Sequence, residues 1–99
     1  MRVELSDQVV EFVKSQPPEP RRRIRLALRK LEGETGDIRA LEGPLCGYRR
    51  LRVGPYRIVY ATAAEPGKPV CIRCIFAERR DVVYAVFSDM MKRRVLEDA

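Results

Sequence analysis

The sequence predicts an α+β domain in which a small antiparallel-rich sheet carries helices on one face, in the order β-α-α-β-β-β-α. Three observations predict it. Apolar residues recur at three- and four-residue spacing early in the chain and again near its end. Between them, from Tyr48 to Ala77, the period drops to two in three short runs rich in β-branched and aromatic residues. The links between these runs are too short for a helical crossover, so neighbouring runs must pair antiparallel. With 99 residues, 45% of them hydrophobic, the chain can bury one modest core, and residues 1–99 read as a single domain.

The elements follow in order. "RVEL" is a short first strand. Ser6 caps a helix through "DQVVEFVKSQ", with Asp7 near the positive helix end and Val9, Val10 and Val13 on one side. "PPEP" stops that helix, and Pro20 suits the first turn of a second. There Ile24, Ala27, Leu28 and Leu31 form a stripe to be buried. Arg22, Arg25 and Arg29 repeat the spacing on another face, which reads first as a solvated surface softened by Glu32 and Glu34. Gly33 and Gly36 close the helix, and "GDIRALEGPLCG" reads as a connection. The strands "YRRLRV", "YRIVYA" and "VCIRCIFA" are separated by the turn signals "GP" and "EPGKP". "RDVVYAVFSDMMKRRVLEDA" returns to helical spacing, with Val83, Phe87, Met90 or Met91, and Val95 apolar.

Charge narrows the function. The net charge is +6, and sixteen of the twenty basic residues are arginine, whose planar fork of donors matches phosphate. Residues 1–47 carry nine basic and eight acidic side chains, residues 48–99 eleven and six. That concentration favours a polyanionic partner, nucleic acid ahead of an acidic protein. Strand parity places Leu51 and Val53 toward the helices and Arg50 and Arg52 on the open face. Across the turn Arg57, Val59 and Ala61 share a face, opposite Tyr56, Ile58 and Tyr60. In the last strand Val70, Ile72, Cys74 and Phe76 form the apolar side, leaving Arg73 on the other. The open face thus gathers Arg50, Arg52, Arg57 and Arg73, while Arg49 stands at the end of the strand whose Leu51 and Val53 point the other way. Tyr48–Arg57 contains no acidic residue to offset these charges, so an anion from outside is expected to do so.

The absence of histidine removes the commonest general acid–base group and the commonest zinc ligand. Cys71 and Cys74 have metal-ligand spacing, but residues three apart on a strand face opposite ways, and only Cys46 remains to help. Buried reduced thiols, no metal and no organic cofactor are the expectation. There is no apolar run long enough to cross a membrane, and "MRVELSDQVV" is too short and charged for a secretory signal, so a cytoplasmic protein is expected.

The element order, with "LEGPLCGYRRLRVGPYRIVYA" and then "IFAERRDVVYAVF", resembles the RelE/ParE toxin superfamily of bacterial toxin–antitoxin systems. Its most specific part is a glycine, a basic R-x-R-V strand, a tight Gly-containing turn, then Y-R-hydrophobic-hydrophobic-Y. The resemblance implies a ribosome-dependent mRNA endonuclease that inhibits translation, or a ParE-like non-enzymatic DNA gyrase inhibitor, or a non-toxic binding module. Either toxin reading implies a cognate antitoxin as partner. Carried over by position, the site residues are Arg50, Arg52, Arg57, Arg79 (or Arg80 in the alternative register) and Tyr84, with Glu78 the adjacent carboxylate. Arg22, Arg25, Arg29, Arg49, Arg73 and Arg80 would add RNA-backbone contacts. Arginine stays protonated at neutral pH, so the guanidiniums suit phosphate clamping, and Tyr84 or Glu78 is left as the base.

Overall fold

A computed structural model of the chain describes residues 1–79, 87 and 89–91. Its elements are β1 (Arg2–Leu5), α1 (Asp7–Ser15), α2 (Pro18–Leu31), β2 (Asp37–Ala40), β3 (Arg49–Val53), β4 (Tyr56–Ala63) and β5 (Cys71–Arg79). A single 3-10 turn spans Gly43–Leu45, and Phe87, Asp89, Met90 and Met91 are helical. The strands form one sheet in the order β1-β5-β4-β3-β2. β1 pairs with β5 in parallel and the other neighbours pair antiparallel. The fold is therefore α+β, as the periodicities predict. β2 is an addition: it lies inside the stretch read as a connection. Four residues are too few for a period to stand out, and pairing with β3 is what makes them a strand.

Local chemistry sets the helices. The Ser6 hydroxyl accepts from the Val9 N–H at 3.3 Å and donates to the Ile75 carbonyl at 2.8 Å, so one side chain both caps α1 and ties it to β5. α2 begins at Pro18, two residues before Pro20, where the missing N–H costs nothing because the first turn has no partner for it. Val9, Val13, Ile24, Leu28 and Leu31 are buried, and they meet Leu51, Ile58, Tyr60 and Ile72 on the sheet. Both α1 and α2 therefore cover the same face.

A bulge in β5 governs the other face. Val59 lies opposite Phe76 and Tyr60 opposite Cys74, so Ile75 is an extra residue without a partner. The expected apolar side of Val70, Ile72, Cys74 and Phe76 is corrected accordingly. Ile72 and Cys74 face the helices, Val70 is exposed and precedes the strand, and Phe76 faces the other way. Phe76 joins Val59 and Phe87 in a second core, where Tyr48 meets Phe87 edge-on at 5.2 Å. The expectation of helices on one face holds for α1 and α2. Phe87 and Met91 pack on the opposite face and close off part of it. No helix among the described residues is long and apolar enough to cross a membrane.

Candidate nucleic-acid interface

The pairing registers place the charged side chains directed to this face in two rows. Directly opposite residues share a face. One row therefore runs Asp37, Arg52, Arg57, Glu78 across β2, β3, β4 and β5. The next runs Arg39, Arg50, Val59, Phe76. Gly54 and Pro55 form the two-residue turn that keeps β3 and β4 in step; Gly54 has φ +56°, the positive value that such a turn places at its first position. Among the described residues, this patch carries four guanidiniums and two carboxylates. The predicted parity of Arg50, Arg52 and Arg57 is observed.

Their predicted freedom from acidic neighbours is corrected. Asp37 reaches both strand arginines: Arg50 donates to its Oδ1 at 3.0 Å and also to its backbone carbonyl at 3.0 Å, and the Arg52 Nε lies 3.9 Å from Oδ2. The Arg50 hydrogen bond, helped by the charges of Arg50, Arg52 and Arg57, holds the Asp37 carboxyl below its ordinary pKa against the opposing effect of burial. The aspartate comes from β2, thirteen residues away from Arg50, which is why the acid-free run Tyr48–Arg57 concealed it.

Arg57 is buried rather than exposed, at 7%. Its guanidinium folds back on the turn and donates to the carbonyls of Gly54 at 2.8 Å and Tyr56 at 3.0 Å, which replace the water it would otherwise hold. Glu78 stands opposite Arg57, half-buried, and accepts from the Arg79 backbone N–H at 3.1 Å. Arg79 itself lies opposite Tyr56, so its register sets it with the helix-side residues at the strand end. Its expected convergence with Arg57 is not observed. Tyr84 and Arg80 lie outside the described residues.

The remaining predicted contacts are dispersed. Arg73 is on the open face but opposite Ala61, four residues along β4 from Arg57, roughly 13 Å away at strand rise. It is paired with Glu4 at 3.1 Å and Glu65 at 3.4 Å, and its hydrogen bond holds the Glu4 carboxyl below its ordinary pKa. Arg49 lies opposite Tyr60 on the helix side and pairs with Glu34 at 3.1 Å. Arg22, Arg25 and Arg29 line an outer groove of α2, about 480 Å³ in volume, on the helix-covered side of the sheet. Arg22 there pairs with Glu19. One nucleic-acid strand lying along the arginine rows would not reach them.

Arg39 is the residue that sequence reasoning missed. It is exposed, and its position opposite Arg50 extends the cationic row to the sheet edge. No signal in the sequence could have found it, since the four residues of β2 become a strand only by pairing with β3. Cys71 and Cys74 are buried, as expected, whereas Cys46 is exposed. No cluster of metal-ligating side chains occurs among the described residues. Guanidiniums in such rows are donors of the kind that pair with phosphate oxygens, and the half-buried Glu78 carboxylate stands opposite Arg57.

Three solved structures share this fold. A YoeB/ParE toxin from Agrobacterium tumefaciens superposes with a TM-score of 0.64 at 17% identity, covering 81% of this chain and 99% of its own. A chain of the archaeal RelE–RelB complex from Pyrococcus horikoshii OT3 gives 0.62 at 30% identity, covering 80% and 93%. A chain of the RelB–RelE antitoxin–toxin complex from Methanococcus jannaschii gives 0.58 at 25% identity, covering 85% and 98%. No family model and no curated protein sequence matches the chain.

Proposed function

The chain belongs to the RelE/ParE toxin superfamily, and from that premise we propose that it is the toxin of a toxin–antitoxin pair that cleaves mRNA on the ribosome. The observation that carries the reading is the shared face of Arg50, Arg52, Arg57 and Glu78, three cations and a carboxylate in two adjacent rows. The RelE–RelB complexes among the similar structures support a cognate antitoxin as its binding partner.

In the proposed reaction the 2′-hydroxyl oxygen attacks the adjacent phosphorus and gives its proton to Glu78 or Tyr84. The phosphorane carries its added charge against the guanidiniums of Arg50, Arg52 and Arg57. Its bond to the 5′-oxygen then breaks, leaving a 2′,3′-cyclic phosphate, and the 5′-oxygen takes a proton from water, or from the phenol of Tyr84 where Glu78 is the base. Arginine keeps its proton at working pH, so these side chains stabilise charge and do not act as the base. The ribosome presents the codon.

The test is cleavage of mRNA on programmed ribosomes. Arg52→Ala and Arg57→Ala are expected to lower the rate by about two orders of magnitude, in the range for removing one transition-state donor. Arg25→Ala, on the far side of the sheet, is expected to cut normally. Intact mRNA with the unaltered protein, together with trapped cleaved DNA in the presence of purified gyrase, would establish the gyrase-inhibitor activity instead.

A further inference from the structure

We propose that Asp37 is a built-in competitor for the substrate phosphate: its carboxylate occupies the place between Arg50 and Arg52 that a phosphodiester takes when RNA binds. The inference rests on reading the arginine rows as the RNA-contacting surface. It deepens that reading by assigning a role to a residue that the reaction itself does not use.

The geometry is that of a substitute anion. Asp37 directs one carboxylate oxygen at each arginine, Oδ1 to Arg50 at 3.0 Å and Oδ2 toward Arg52 at 3.9 Å. The two non-bridging oxygens of a phosphodiester offer the same pair of acceptors to the same pair of forks. The two partners differ in freedom. The Arg50 side chain is 13% exposed and anchored as well by the Asp37 backbone carbonyl, whereas the Asp37 side chain is 54% exposed. The guanidinium is therefore the fixed member and the carboxylate the one able to swing into water. Asp37 also sits on β2, a four-residue strand at the sheet edge, where a side chain can reorient without disturbing a neighbouring strand.

The consequence is a toll on binding. An arriving phosphate must release the carboxylate before it gains both guanidiniums, so apparent affinity for RNA is lower than the arginines alone would give. Until then Asp37 keeps the two forks apart from stray anions and screens their mutual repulsion.

The experiment measures binding by the full chain to a short, fluorescein-labelled single-stranded RNA with every 2′-hydroxyl methylated, so that no cleavage occurs, by fluorescence anisotropy at low salt. Asp37→Asn keeps the shape and an acceptor for Arg50 but removes the charge. It is expected to bind about three- to fivefold more tightly, the scale of a partly exposed ion pair, with the gain shrinking as salt rises. Glu11→Gln, which removes the same charge from the exposed side of α1, is expected to change binding much less, and Arg52→Gln to weaken it. Asp37→Ser, checked with Asp37→Asn by thermal unfolding, takes its place in the assay should the amide destabilise the fold. Equal or weaker binding by the Asp37 variants, with Arg52→Gln still impaired, would overturn the competitor role and leave the RNA-contacting face standing. Equal tightening by Glu11→Gln would reduce the effect to net charge and also overturn it. Indifference of binding to both Asp37 and Arg52 would overturn the inference and the reading beneath it together; no binding by any variant would overturn the inference alone, because the reading beneath it is tested by cleavage on programmed ribosomes.

Discussion

The carboxylate of Asp37 and the guanidinium of Arg50, on neighbouring strands, form an ion pair at 3.0 Å in which the cation is the more buried partner. Its hydrogen bond depresses the aspartate pKa. A depressed carboxylate contributes stability that is present above the unfolded-state value, near 4, and is lost as pH falls through the lower folded-state value. The melting temperature should therefore fall on acidification more steeply for the unaltered protein than for Asp37→Asn. The two curves should converge at the acid end. Parallel curves from neutral to strongly acidic pH would remove Asp37 from the acid response.

Gln8 extends the sheet where β1 has run out. β1 pairs with β5 only as far as Cys74. At Ala77 the Gln8 amide takes over, donating to the carbonyl at 2.7 Å and accepting from the N–H at 2.8 Å. Gln8→Ala leaves both part-buried backbone groups without these bonds and should cost about 1–3 kcal/mol in urea unfolding. A loss below about 0.5 kcal/mol would mean that water replaces the amide at little cost.

Tyr60 is fully buried in the main core, and its hydroxyl has no hydrogen-bond partner among the described residues. Burial raises its pKa, against a lesser pull from Arg49 nearby. Removing an unsatisfied buried hydroxyl from a ring that otherwise stays in place is neutral or favourable. Tyr60→Phe should keep or raise the melting temperature. A clear drop would show that the hydroxyl is bonded after all.

The three thiols should separate by reactivity. Burial pushes the Cys74 thiol up to about 12, and Cys71 is also buried, while Cys46 is exposed just after the 3-10 turn. A disulfide reagent at mildly alkaline pH should modify Cys46 quickly and reach Cys71 and Cys74 only on unfolding. Three thiols reacting at one rate in the native protein would contradict the burial.

Much of the frame was legible in the residues. Helical spacing located Ile24, Leu28 and Leu31 in the core, and alternation put Leu51 inward and Arg50 and Arg52 outward. That parity carried across to Arg57 because the turn at Gly54–Pro55 adds only two residues and keeps the strands in register. The bulge at Ile75 was not legible. Cys74, Ile75, Phe76 and Ala77 are all apolar, so no polar residue marks the point where the faces exchange. β2 was hidden for a different reason, its four residues acquiring strand character only from β3.

What the sequence determined by itself is the class of the fold, the arginine excess and the outward direction of Arg50 and Arg52, because periodicity and parity are local. Only the tertiary structure decided which cations lie together. It sent Arg22, Arg25 and Arg29 to the helix side, set Arg73 apart with Glu4, brought Arg39 beside Arg50, and gave Arg50 and Arg52 an aspartate from another strand. Electrostatic partnership depends on distance through space, and pairing across strands brings together charges that lie far apart along the chain.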